Sequence, residues 1–346
     1  MSRKGEKKHL NQILGSHLCT IHETLQVLDQ TAPSSLDKVS WEEIIKMGDQ
    51  VSKQATIVGM LLSGQKPELK AIEETMTSYF NTLQGFLLLS HGSTVGAGPT
   101  LSSCIHASVK QVVDSSFRLT KEVVSLYGSQ GKDQQLSISQ LVGVVWEACS
   151  ALKKTPSTNI TAIGRGVTQI AVSMKDVLRE LNELRPDSSD EVSDNDGELG
   201  NDLSPEEMKI AQAATVVVSD ALSVVKELIR CISGMLKLEK PGDSGDFVDS
   251  LEKLLKLCQE LGLQIDEIGA CLYPPQEVPA IEAAMVKIQS IIDDMQGVLG
   301  GLRGASATFL EACNVLRSSM RHLASELSSS GTADLEAKVE NMTLSN

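Results

Sequence analysis

From Ile210 the apolar positions run Ile210, Ala214, Val217, Ala221, Val224, Leu228, Cys231, Met235 and Leu238, with steps of four and three alternating. At 3.6 residues per turn this spacing draws one apolar stripe down a long helix. The next segment repeats it through Phe247, Leu251, Leu254, Cys258, Leu261, Ile265, Ile268 and Leu272. A third stripe runs from Val278 to Leu302 and a shorter fourth from Phe309 to Leu327. Between them stand "EKPGDSGD" and "YPPQEVP", whose prolines remove amide donors, and "LGGLRG", whose glycines weaken a helix. Val218, Val225, Leu255 and Ile291 widen the stripes beyond a two-stranded seam, which predicts a four-helix bundle.

The first half carries the same period with smaller residues. Helices are predicted over 8–30, 38–62, 67–90, 100–127, 136–154 and 158–185. The second has Trp41, Ile44, Gly48, Val51, Ala55, Val58 and Leu62 on its stripe; the sixth runs from Ile160 to Leu184. The breaks "TAPSS", "SGQKP", "HGSTVGAGPT", "GSQGKDQQ" and "KKTPSTN" are short, so neighbouring helices should be antiparallel. No strand-like alternation with turn chemistry occurs.

Between the halves lies "RPDSSDEVSDNDGELGNDLSPEE", with nine carboxylates after Arg185 and no basic residue until Lys209. Low hydrophobicity and one sign of charge predict a segment that cannot bury enough surface to order itself. Its end reads as a helix start: Ser204 as N-cap, Pro205 in the first turn and Glu207 closing a capping box. The expected organisation is all-α: an N-terminal helical bundle at 1–186, an acidic disordered linker at 187–204, a C-terminal four-helix bundle at 205–328 and a flexible tail at 329–346.

Composition agrees. Hydrophobic residues are 41% of the chain but aromatics only 3%, which suits helices packed by Leu, Ile, Val and Ala. A net charge of −14 repels phosphate backbones, so nucleic-acid binding is not expected and basic partners are favoured. The start, "MSRKGEKKHLNQIL", has no apolar run of signal-peptide length, and no stretch reads as a membrane span. Seven scattered cysteines without a CxxC pair read as buried thiols in a reducing compartment.

Catalytic chemistry is hard to find. His17 and His22 are five apart, off one helical face, and no HExxH occurs. There is no phosphate loop and no GxSxG elbow, and "STVGAGPT" lacks GxGxxG spacing, reading as a flexible interhelical loop. Nothing marks Cys149 as a nucleophile. No catalytic, cofactor-binding or metal-ligating residue is assigned. Ser188 and Ser193 each have an acidic residue three positions on, the pattern acidophilic kinases use, and are the candidate phosphorylation sites. Ser204-Pro205 is explained by its cap. Arg321-His322-Leu323 has the form of a cyclin-docking tripeptide, but Leu323 falls on an apolar stripe and reads as core.

Two motifs and the layout resemble the cyclin-D-binding protein family, also called GCIP-like proteins. "DEIGACLYPPQEV" is similar to the family's helix ending in a Tyr-Pro-Pro turn, here Tyr273-Pro274-Pro275. "VGVVWEACSALKKTP" is similar to a Val-Trp-x-Ala-Cys segment, with Trp146 as its indole. The layout of helical half, acidic middle and helical half also matches, over roughly residues 38–328. The resemblance implies a non-enzymatic interaction protein of cytoplasm and nucleus. It would bind a D-type cyclin, restrain the associated kinase and slow the cell cycle. Tandem bundles are also similar to vinculin and α-catenin, which leaves open a helical scaffold or adaptor; an acidic chaperone for basic proteins is the other alternative. Helical faces leave homo- or hetero-oligomers open. Trp146, Tyr273, Pro274 and Pro275 carry the resemblance, and their simplest role is structural: the turn ends a helix, and the indole packs between helices.

Overall fold

The computed structural model describes residues 3–343 apart from 31, 34, 64–66, 128–131, 185–202, 238–244 and 303–305. Among the described residues the protein is all-α, with ten helices. They are α1 (Arg3–Gln26), α2 (Trp41–Ser63), α3 (Leu69–Ser93), α4 (Pro99–Leu126), α5 (Lys132–Ala151), α6 (Asn159–Leu181), α7 (Pro205–Gly234), α8 (Gly245–Cys271), α9 (Val278–Gly301) and α10 (Ala307–Thr343). Short 3-10 turns follow α1, α5 and α7.

The starts of the helices follow from their sequences. Pro99 and Pro205 occupy the first helical positions of α4 and α7, where a missing N–H costs nothing. Ser204 closes the expected box: its Oγ accepts the Glu207 N–H at 3.2 Å, and Glu207 Oε2 accepts the Ser204 N–H at 2.9 Å. Ser40 and Glu43 repeat the device at α2, with 3.4 Å and 3.1 Å. Each cap typically contributes about 1 kcal/mol. Leu203, just before the second cap, is buried, so the order of the C-terminal half begins inside the segment expected as linker. At the other end α10 continues to Thr343 where a tail was expected from 329. "ADLEAKVENM" is rich in strong helix formers.

Met1–Ala162 form the body of one compact unit; Ile163–Lys240 and Asp246–Asn346 form the other. In the first unit α3, α2, α5 and α4 pack side by side in that order, and α1 closes the side between α3 and α4. α2 and α5 run antiparallel and close: a Cβ placed on Gly48 would come 2.5 Å from Leu152, and one on Gly59 3.2 Å from Val142. The Trp41 indole donates to the Leu152 carbonyl at 2.9 Å and so ties the start of α2 to the end of α5. Ile44, Val51, Tyr79, Leu83, Phe86, Val112, Val145 and Leu152 are fully buried in this core. Each such side chain contributes about 1.5–3 kcal/mol by leaving water. The Tyr79 hydroxyl donates to Ser116 Oγ at 2.9 Å, which keeps a buried polar atom satisfied.

The glycine-rich connection of α3 to α4, expected to be flexible, is held. Gly96 takes φ +70°, a backbone open to glycine, and "HGS" belongs to the last turn of α3. Asn159, at the start of α6, donates to the Gly96 carbonyl at 2.9 Å and accepts the Gly98 N–H at 2.7 Å.

The second unit contains α7 to α10 and most of α6. α10 returns antiparallel to α7, where Thr308 bonds Glu227 at 2.9 Å and Ser306 lies 3.5 Å from Cys231 Sγ. Arg317 of α10 reaches Asp293 and Gln296 of α9, each at 2.7 Å. α6 runs parallel to α8 at glycine contacts: Cβ atoms on Gly166, Gly262 and Gly269 would stand 2.8, 3.0 and 2.9 Å from Leu255, Ile170 and Val177. α6 was expected with the N-terminal bundle, ending at 186. Its stripe instead packs within the second unit, which has five helices rather than four. The seam residues Leu228 and Leu323 are fully buried, as their stripes predict. α7 is the one helix among the described residues long and apolar enough to cross a membrane by composition; its apolar residues are largely buried among its neighbours.

Candidate functional site

α5 turns Ile138, Val142, Val145 and Cys149 inward, and Leu152 of the 3-10 turn that follows is buried with them. Trp146 follows Val145, so it stands about 100° off that seam, toward α2. Its Nε1–H donates to Thr56 Oγ1 of α2 at 3.1 Å. Through this bond the indole spans from α5 to α2, but 45% of the residue stays exposed, whereas Trp41 keeps only 9%. On α2, Met60 lies one turn beyond Thr56 and is 69% exposed, and Ile57 beside it is 47% exposed. Gly143, one turn before Trp146, would carry a Cβ into open space. The α2/α5 pair therefore presents an exposed indole with an exposed thioether one turn from its Thr56 partner, and Ile57 adds an exposed branched side chain about 100° further round α2. Tryptophan and methionine are the residue types enriched where protein interfaces concentrate their binding energy.

The other residues singled out by sequence behave differently. Tyr273, Pro274 and Pro275 form an exposed turn beyond the end of α8, and the Pro274–Pro275 bond is cis. Gln276 secures this turn, donating to the Glu207 carbonyl at 2.9 Å and the Leu272 carbonyl at 3.2 Å. The turn is thus tied to the start of α7, 69 residues earlier in the chain. The turn lies in the second unit and Trp146 in the first. Ser188 and Ser193 lie outside the described residues.

Among the described residues no reactive constellation assembles. His17 stacks on Phe80 with ring centroids 4.8 Å apart, and burial lowers its pKa. Burial pushes the Cys149 thiol up to about 12, with the nearby Asp49 carboxylate adding to it, and burial alone does the same for Cys258. A thiol held that high is a poor nucleophile at neutral pH. Among the described residues no three His, Cys, Asp or Glu side chains converge as a metal site would require.

Ile57 and Met60 were missed by the sequence reading. Their signal was available: both are large apolar residues off the stripe of Trp41, Ile44, Val51, Ala55 and Val58. Single exposed apolar residues are ordinary, however, and only the Trp146–Thr56 bond between α5 and α2 places Met60, one turn beyond Thr56, on the side of the indole.

Comparison with known proteins agrees with this picture of an interaction protein. Residues 43–187 match the family model described as Grap2 and cyclin-D-interacting, N-terminal, and residues 186–297 match its C-terminal counterpart. A protein of Xenopus laevis named Cyclin-D1-binding protein 1 homolog is 24% identical over 262 residues, covering 73% of this chain and 77% of that protein. A protein of the same name from Danio rerio is 21% identical over 269 residues, covering 73% and 74%.

Proposed function

This chain belongs to the Grap2 and cyclin-D-interacting family, and from that premise we propose that it is a non-enzymatic regulator that binds a D-type cyclin or its kinase complex and restrains the cell cycle. The observation that carries the proposal is the solvent-facing Trp146 with Met60 and Ile57 on the α2/α5 pair. It lies inside the matched residues and offers a partner an aromatic anchor with flexible and branched apolar neighbours. The names of both relatives supply the partner class. Cytoplasm and nucleus are the proposed locations, where D-type cyclins would be met.

The acidic segment at 187–202 is proposed as a modulator, with Ser188 and Ser193 as phosphorylation sites. Each phosphate would add about −1.5 to −2 charges and strengthen attraction to a basic partner in a salt-sensitive way.

The test is capture of a purified D-type cyclin by the full chain and by Trp146→Ala/Met60→Ala. We expect at least a tenfold loss of affinity with an unchanged melting temperature. Equal capture by both would remove the α2/α5 face from the mechanism. No capture by the wild-type chain would remove the cyclin.

A further inference from the structure

The Tyr273-Pro274-Pro275 turn is exposed, and the function proposed above makes no use of it. Beyond it α9 turns Ile281, Met285, Ile288 and Ile292 inward. Its opposite side is apolar as well. Pro279, Ala283 and Val286 are all exposed, at the steps of four and three that set residues on one helical face, and Val286 is 72% exposed. The stripe covers two turns of α9, about 10 Å. A single exposed apolar residue is ordinary; a row of them headed by an aromatic turn marks a contact surface.

The turn is held in place. The Glu277 N–H donates to the Cys271 carbonyl at 3.1 Å and closes the connection of α8 to α9. Gln276 donates to the Leu272 and Glu207 carbonyls, which fixes the turn to the start of α7. The two prolines restrict the backbone further. A partner meeting this face loses little entropy in ordering it.

The charge around the face is of one sign. From residue 257 to residue 286 the chain has five carboxylates, Glu260, Asp266, Glu267, Glu277 and Glu282, and no lysine, arginine or histidine. All but Glu260 are exposed. Burial, and then the Glu267 and Glu277 carboxylates, push the Cys271 thiol up, which places both carboxylates at the turn. Glu206 is exposed in the first turn of α7, the helix start that Gln276 ties to the same place. Lys287, next to Val286, stands at the far end of the stripe. This charge selects the occupant. Segment 187–202 carries seven carboxylates and no basic residue, so the chain's own acidic stretch is repelled. A second copy brings the same carboxylates to the contact, and an anionic membrane or a nucleic acid is repelled likewise. A segment with lysines or arginines beside apolar residues complements both the stripe and its rim.

We propose that the face formed by Tyr273, Pro274, Pro275, Pro279, Ala283 and Val286 docks a basic amphipathic helix of another protein, laid along α9 with its apolar side on the stripe and its cations toward Glu277 and Glu282. Tyrosine is enriched at protein contacts, and rim carboxylates steer the encounter and fix its register more than its strength. The face belongs to the second unit and Trp146 to the first, so this surface stands apart from the one proposed for cyclin binding.

The probe is a fluorescently labelled helical peptide of leucine and lysine, its leucines at steps of three and four, titrated into the full chain at physiological salt. A peptide of the same composition in scrambled order reports charge alone and should bind at least tenfold more weakly. Tyr273→Ser/Val286→Ser and Glu277→Lys/Glu282→Lys should each weaken binding of the amphipathic peptide at least tenfold with an unchanged melting temperature. Trp146→Ala/Met60→Ala should bind it as the wild-type chain does. Absence of binding by the wild-type chain, equal binding of the two peptides, or binding that neither double substitution weakens overturns the proposal. Should a substituted chain melt at a lower temperature, cross-linking of a photoreactive form of the peptide to the wild-type chain decides instead. Adducts within 273–286 support the face; adducts confined to other places, 187–202 included, overturn it. A doubled mass for the wild-type chain, abolished by Tyr273→Ser/Val286→Ser, would make a second copy the occupant and also overturn it.

Discussion

Trp146 and Thr56 meet across the seam of α5 and α2, the indole N–H donating to the threonine hydroxyl at 3.1 Å while much of the ring faces water. The bond orients the indole rather than burying it. Thr56→Val should therefore cost little stability, within about 1 kcal/mol, because water can reach the freed N–H. It should still weaken partner binding by loosening the anchor's rotamer. Thermal melts and cyclin titration of Thr56→Val and Trp146→Phe separate the two effects. A melting temperature that collapses in either variant would make the pair structural.

Glycines divide into two kinds by what surrounds them. A Cβ on Gly269 would stand 2.9 Å from Val177 and one on Gly166 2.8 Å from Leu255, whereas one on Gly143 meets nothing within 4 Å. Gly269→Ala should destabilise the second unit by about 1–3 kcal/mol through overpacking. Gly143→Ala should stabilise α5 by about 0.5–1 kcal/mol, the helix preference of alanine over glycine. Denaturant unfolding of the two variants should shift in opposite directions.

Stability should also respond to mild acid through His17. Burial of this α1 residue against Phe80 of α3 lowers its pKa from the ordinary value of about 6.5, so the fold favours the neutral ring. The unfolded chain takes up the proton more readily. The contribution is present above pH of about 6.5 and is lost as pH falls below it. His17→Phe should remove the acid-sensitive loss while keeping a ring on Phe80. The comparison is wild type against His17→Phe in unfolding between pH 5 and 7; parallel curves would exclude His17 as the source.

The thiols should react in two groups. Cys19 is exposed and Cys104 partly so, while Cys149, Cys231, Cys258, Cys271 and Cys313 are buried. Burial also pushes the Cys313 thiol up to about 11, and the buried group should resist alkylation at neutral pH. Mass spectrometry after brief labelling should find modification at Cys19 first and Cys104 second, with the other five labelled only after unfolding.

The residue pattern carried the helices and their inward faces, since a period of 3.6 residues can be read without knowing what it packs against. That same property hid the allegiance of α6. Its stripe from Ile160 to Leu184 promised burial but could not name the surface, and the deciding contacts are of Gly166 with Leu255 and of Gly262 with Ile170, about 90 residues apart. The hold of Asn159 on the Gly96 loop was equally silent, because one side chain supplies both bonds from a distant helix. At the candidate site, Trp146 was visible as a residue; its half-open setting beside Met60 depends on the register of two antiparallel helices.

The position of α6 also changes what a break in the chain would mean. A single cut in the acidic segment yields a first piece that ends in a helix seated in the second unit, and a second piece that lacks that helix. Severing the backbone there would not separate two finished bodies; it would produce a split protein whose halves are complementary. The nicked chain should elute from gel filtration as one species in native buffer and as two in denaturant. Expressed apart and mixed, residues 1–186 and 203–346 should regain a common melting transition. Such behaviour would let proteolysis or charge changes act on the acidic segment while the two halves remain one molecule.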